Sequence, residues 1–356
     1  MTSGQSSWIS DARGALLKSE KNYFQVRPLQ YWFDFLTSAV FAYAASTVYL
    51  VAPLFSWAQI IAFPLAAFWL YRLGSLVHEV AHLQHGEMRG FKVAWNLIVG
   101  VMTLAPSPFF TRHHRDHHTR RYYGTPQDPE YVANVCQPGS WKSIFVYGCK
   151  VALFPLAVFL RFLLSPLSFL HPKLREFVLR RGSSLTMNWR YERKLNSFDR
   201  WAITSVELLC WIRATMIPLG VVLGLASWTR FPLLYLLAVT TLTLNQMRLL
   251  ADHQLHSSGE QLDMNEHLQD SCNYPHRDFL TWLFFPFAIR YHALHHLFPT
   301  LPYHNLSAAH RYLSRELPGD SVYHSLEQPS WWSVAKKVFR RAGPAATGVL
   351  VVEKGV

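Results

Sequence analysis

Long apolar runs alternate along this chain with polar stretches that are crowded with histidine. A helix needs about 20 mainly apolar residues to cross the hydrocarbon core of a bilayer. Residues 35–56, 57–77, 204–226 and 232–252 meet that length. The pattern predicts an all-α membrane protein with four transmembrane helices, interfacial helices and a cytoplasmic histidine-rich cap. The link around Pro53 and Trp57 carries no Lys or Arg, and the link SWTRF (227–231) carries only Arg230. Both hairpins therefore turn on the outer side and return to the cytoplasm. Residues 1–30 read as an N-terminal tail leading to Tyr31 and Trp32 at the interface, 31–319 as the membrane domain, and 320–356 as a soluble C-terminal extension with a Gly/Ala-rich end.

Two further apolar stretches are read as lying on or dipping into the membrane. A crossing by residues 91–110 would strand neighbouring histidine groups on opposite faces, and Pro106 and Pro108 interrupt the run. Residues 143–170 carry Lys150, Arg161, Pro155 and Pro166, which suits an interfacial amphipathic helix.

Composition refines this picture. The mean hydropathy of +0.07 is low for a pure membrane bundle, so substantial polar mass lies outside the lipid. The net charge of +12 is concentrated beside the spans, as at 181–194 and 336–341, which fits the positive-inside rule and anionic headgroups. With no recognisable binding motif, nucleic acid is not expected as a partner. Cys136, Cys149, Cys210 and Cys272 show no CxxC spacing, hence neither a disulfide framework nor a thiolate metal site. Residues 1–25 lack the apolar core of a cleaved signal peptide, so the first span serves as its own insertion signal.

The histidines carry the chemistry. His292, His295 and His296 fall within five positions, and His114, His117 and His118 repeat that spacing. HEVAH sets His78 and His82 one helical turn apart. Residues at i, i+3 and i+4 share a helix face, so each group aims its imidazoles at one point. Eight histidines exceed what one tetrahedral ion needs, which points to two metals. HEVAH alone could be a zinc protease motif with Glu79 as general base, but that reading leaves six histidines unused. His253 and His256 follow the fourth span, near Asn245 and Arg248, polar groups that are costly in a membrane helix. His171, His267, His276, His304, His310 and His324 read as structural or exposed.

HEVAH, RHHRDHH with the trailing GTPQDPE, and YHALHHLFPTLPYHNLSAAH, in that order, resemble the integral-membrane fatty acid desaturase and hydroxylase superfamily over about residues 35–315. The resemblance implies a histidine cap holding two ferrous ions that activate O2. His78, His82, His114, His117, His118, His253, His292, His295 and His296 would be ligands. His85, His113 and His256 compete for the same roles. Asn96, Asp128, Asn245, Arg248 and Asp252 would orient ligand rings through the nitrogen not bound to metal. The expected activity is acyl-chain desaturation with two electrons from a separate donor of ferredoxin, rubredoxin or cytochrome b5 type. Hydroxylation of a lipid, alkyl or carotenoid substrate and oxidative decarboxylation to a terminal alkene are the alternatives. Arg180, Arg181, Arg190, Arg193 and Lys194 offer either a surface for an acidic electron carrier or contacts to lipid headgroups.

Overall fold

The structure is a computed structural model, described for residues 7–135 and 140–341. Cys136 and the Gly/Ala-rich C-terminal end lie outside the described residues, as do residues 1–6 of the expected tail. The described chain is helical: α1 Ser7–Lys18, α2 Pro28–Val51, α3 Trp57–Ser75, α4 Val77–His82, α5 Arg89–Trp95, α6 Ser107–His117, α7 Trp141–Leu163 and α8 Pro172–Arg181 form its first half. The second half is α9 Ser197–Val222, α10 Arg230–Asp252, α11 Met264–Asp270, α12 Phe279–Phe284, α13 His292–Leu297, α14 Tyr303–Glu316, α15 Val322–Ser325 and α16 Trp331–Arg341.

Helices α2 and α3 pair as the expected hairpin, with Ser56 capping α3 by accepting from the Gln59 amide. Tyr31, Phe35 and Ala42 on α2 and Ala62, Ala66 and Ala67 on α3 are buried, while much of the remaining apolar surface is exposed, as suits helices bathed in lipid. The same holds for α9 and α10. Five helices, not four, are long and apolar enough to cross a membrane, the fifth being α7.

Both ends of α7 nonetheless sit against the histidine-bearing end of the bundle. Near its start, Tyr147 donates to Gln246 on α10, seven residues before His253. Near its end, Arg161 donates to the Gly182 carbonyl at 2.7 Å, and Phe162 packs on Phe109 of α6. The chain therefore leaves the cap and comes back to it across α7.

Residues 91–110 form α5, a π-helical turn (Asn96–Val101) and the start of α6. The prolines expected to break this run start a helix instead: Pro106 is the N-cap of α6 and Pro108 lies in its first turn, where a missing N–H costs nothing. The terminal segments are docked rather than hanging free. Trp8, Ala12 and Leu16 of α1 are buried against the cap, in the same apolar core as Leu313 of α14. Beyond residue 320, Tyr323, Leu326, Trp331, Val334 and Val338 are buried, and Asn273 N–H donates to the Leu326 carbonyl.

Candidate metal centre

Each histidine group is aimed by its local backbone. The α3 helix yields to α4 at Leu76, and His78 and His82 then lie one turn apart on α4. The α6 helix carries the second group, and its first amide is satisfied from outside: Asn96 Oδ1 accepts from Ser107 N–H at 2.8 Å. The third group occupies α13, entered through left-handed Phe287 and Ala288 (φ 56° and 57°). Between α10 and α13 runs the segment 271–273. Ser271 bridges to His253, Asn273 bridges to Tyr291, and the Asn273 side-chain oxygen accepts from Leu294 N–H. That segment ties the extended residue His253 to the third group.

The nine expected imidazoles converge into two adjoining clusters. His78, His82, His114 and His295 each place one ring nitrogen within 4.8 Å of the others, and His117, His253, His292 and His296 do the same. Two opposed metal–nitrogen bonds of about 2.1 Å span about 4.2 Å, so cages of this size suit a single ion each. His118 lies between the cages. Its Nε2 is 3.3 Å from His114 Nε2 and 3.2 Å from His295 Nε2, while its ring stacks on His296.

The far ring nitrogens of His78, His114, His117, His253 and His296 are held by protein, which fixes what the near ones can do. His117 Nδ1 faces Asp128 at 2.8 Å, and Asp128 itself accepts from the backbone amides of Gly124, Glu130 and Tyr131. His114 Nδ1 faces Glu130 at 2.8 Å, His253 Nδ1 faces the Tyr123 hydroxyl at 2.8 Å, and His296 Nδ1 faces His267 Nε2 at 2.7 Å. Glu79 is buried beside His78 and accepts from the Tyr31 hydroxyl and the Tyr303 amide. A proton held on Nδ1 leaves Nε2 as a lone-pair donor pointing inward. His78 Nε2 and His82 Nε2 are buried and have no hydrogen-bond partner. Buried polar atoms are normally satisfied, so orphaned nitrogens in a histidine cage fit the binding of a cation there.

Electrostatics keeps these rings neutral. Burial, reinforced by neighbouring imidazoles, pushes His114, His118, His292, His295 and His296 well below the ordinary histidine value, and burial does the same to His253. His117 differs: burial works against its charge, but Asp128 outweighs burial and holds it above the ordinary value. Burial also lifts Glu130 to about 7, although His117 pulls the other way.

Several expected residues lie elsewhere. His85 is exposed and touches Phe198, because the chain has left α4 by that point. His113 is buried but outside both clusters, its Nδ1 on the Phe109 carbonyl and its Nε2 3.4 Å from Glu130. His256 is half-exposed against Asp270. Asn96 contacts Lys92 and Ser107 and no histidine. Arg248 and Asp252 make no hydrogen bond to a ligand ring but form a buried ion pair at 3.0 Å close enough for their charges to act on His292 and His117, with Asn245 beside Arg248. In the proposed carrier surface, Arg193 is buried on the Pro108 and Ser183 carbonyls, and Arg180 and Arg181 pair with Glu192.

Three residues at the site, Glu130, Tyr123 and Asp270, were given no role in the sequence reading, and a fourth, His267, was read there as structural or exposed and proves to be buried against His296. His267 and Asp270 stand at i and i+3 on α11, and that shared face was the available signal. Asp270 accepts from both Tyr123 and Tyr131, so it anchors the hydroxyl that holds His253.

Helices long and apolar enough to cross a membrane, with a cap gathering nine histidines into two clusters that could each hold a metal ion, define a class of histidine-rich membrane protein. The fatty acid desaturase family model matches residues 54–327. The chain is 36% identical over 276 residues to a ceramide hydroxylase of Caulobacter vibrioides (strain NA1000 / CB15N), covering 76% of this chain and 77% of that protein. No solved structure matches it. The chain belongs to the fatty acid desaturase family, within the desaturase and hydroxylase superfamily, and is an oxidoreductase of lipid metabolism in the membrane.

Proposed function

We propose that this protein hydroxylates a membrane lipid of the ceramide class, inserting one oxygen atom of O2 into a C–H bond and reducing the other to water with two electrons and two protons from a separate donor protein. The observation that carries this reading is the 36% identity to a ceramide hydroxylase over three-quarters of both chains, together with two adjoining four-histidine cages. This moves the preference from desaturation, the first expectation, to hydroxylation, its stated alternative.

The nine histidines would hold two iron ions, for which neutral imidazole is a suitable ligand. When bound, the irons would supply the activation of O2 that no side chain can provide. The protein's own groups do the rest. Asp128, Tyr123 and His267 fix the orientation of His117, His253 and His296, so that the cages are preformed. Burial of all nine rings, with only His82 and His118 partly accessible, limits water at the reacting carbon. The cap would face the cytoplasm, where the electron donor resides.

The test is expression with a reducing partner in a host supplied with ceramide, followed by mass spectrometry of the lipids. Ceramide gaining one oxygen atom is the expected product. Ceramide losing two hydrogens would return the reading to desaturation, and no change in any lipid would sink both.

A further inference from the structure

A cleft of about 320 Å³ opens beside the first cage, and nothing described so far uses it. Its floor is Tyr31, Glu79 and His82, and its mouth includes Glu87, Gln84 and Thr300. His82 belongs to the first cage and is one of the two cage histidines that are not fully buried, so the cleft lies against the metal site, although His82 Nε2 itself is closed off from it. Apolar groups, among them Phe24, Leu83 and Leu301, complete the walls. The lining holds two carboxylates and no Lys or Arg.

That charge pattern selects among lipids. A free fatty acid, a phosphate headgroup or a thioester on a nucleotide carrier would bring negative charge against two carboxylates, Glu79 and Glu87, while the neighbouring cation, Lys92, is held on the Leu83 and Gln84 carbonyls and is not part of the lining. An uncharged polar end carrying hydroxyl and amide N–H donors would find acceptors in Glu87, Gln84 and Thr300. The volume stands at the lower limit for ligand pockets, which suits a small head and its first carbons.

We infer that this cleft binds the polar end of the substrate and that it selects an uncharged, hydroxyl- and amide-bearing lipid over any anionic acyl donor. The inference rests on the lipid-hydroxylase reading and adds to it the binding site and the physical basis of substrate choice.

The test is photolabelling of the full chain in phosphatidylcholine vesicles, using a ceramide with a diazirine next to its amide. Label is expected on peptides covering residues 79–87 or 299–302, suppressed by excess unlabelled ceramide and unaffected by the same amount of palmitate. Label confined to other peptides, or equal suppression by palmitate, overturns the inference. Two variants give a kinetic arm. Thr300→Trp fills the mouth and Glu87→Lys replaces an acceptor with a cation. Each is expected to lower kcat/KM for ceramide at least tenfold through KM, with kcat and iron per chain unchanged. Values within twofold of wild type for both variants overturn it as well. A wild-type protein that oxygenates no lipid would sink the hydroxylase reading alone, because the labelling pattern reports the cleft without turnover.

Discussion

At the scale of single residues, the division between rings that face the cages and groups that steer them makes separate predictions. His295 belongs to the first cage and lies 3.2 Å from the bridging His118, so His295→Ala should abolish product and lower bound iron while the protein still inserts. Metal analysis of purified membranes checks it. Asp128→Asn keeps the shape but weakens the grip on His117 Nδ1, and partners of this kind are worth about 10- to 100-fold in metal affinity or activity. Iron titration of the variant measures that loss. Protonation gives a third prediction. Burial pushes His113 to about 3 and His310 to about 4, and it pushes the cage histidines other than His117 down with them. Below the unfolded value of about 6.5, the unfolded chain binds protons that the folded chain refuses, so stability falls with pH. The metal-free protein should therefore show a lower Tm at about pH 5.5 than at about pH 7.5. An unchanged or higher Tm at the lower pH would contradict the buried, neutral state of these rings.

At the scale of elements, the second histidine group depends on a close approach between the π-helical turn and the start of α6. A Cβ on Gly100 would stand 2.8 Å from the Pro106 Cα, a contact between backbones that cannot give way easily. Gly100→Ala should cost about 1–3 kcal/mol through overpacking. Because α6 carries His114, His117 and His118, bound iron should fall along with Tm, and both can be read from one preparation. Asn96 illustrates how an intramembrane polar residue can be visible in sequence and misassigned. It was expected to orient a ligand ring, but it caps the helix that carries three of them. Glycine and asparagine here act on the metal site through helix position, a role that spacing rules for ligands do not describe.

At the scale of the whole molecule, the three histidine groups come from α4, α6 and α13, and the ninth ring follows α10. They can meet only if all of these ends lie on one side of the membrane. Both ends of α7 contact histidine-bearing elements, so α7, one of five candidate spans by length and composition, is expected to dip into the membrane and return. Single cysteines placed at Gln84, Ser140 and Leu164 of a cysteine-free background should therefore react with an impermeant reagent from the same face, and one at Thr229 from the other. Reaction of positions 140 and 164 from opposite faces would make α7 a true span.

The sequence by itself determined the all-helical membrane class and the three histidine groups, because these depend on run length and on the 3.6-residue period of a helix. His253 as a ninth ring and Asp128 as a partner of a ligand ring came from the resemblance to the superfamily, since the extended His253 follows no helical period. Only the tertiary structure decided which ring joins which cage, since that is set by how α4, α6 and α13 approach one another. It likewise revealed Glu130, Tyr123, Asp270 and His267, whose partners are 16 to 147 residues away in the chain, and separations of that kind leave no periodic trace.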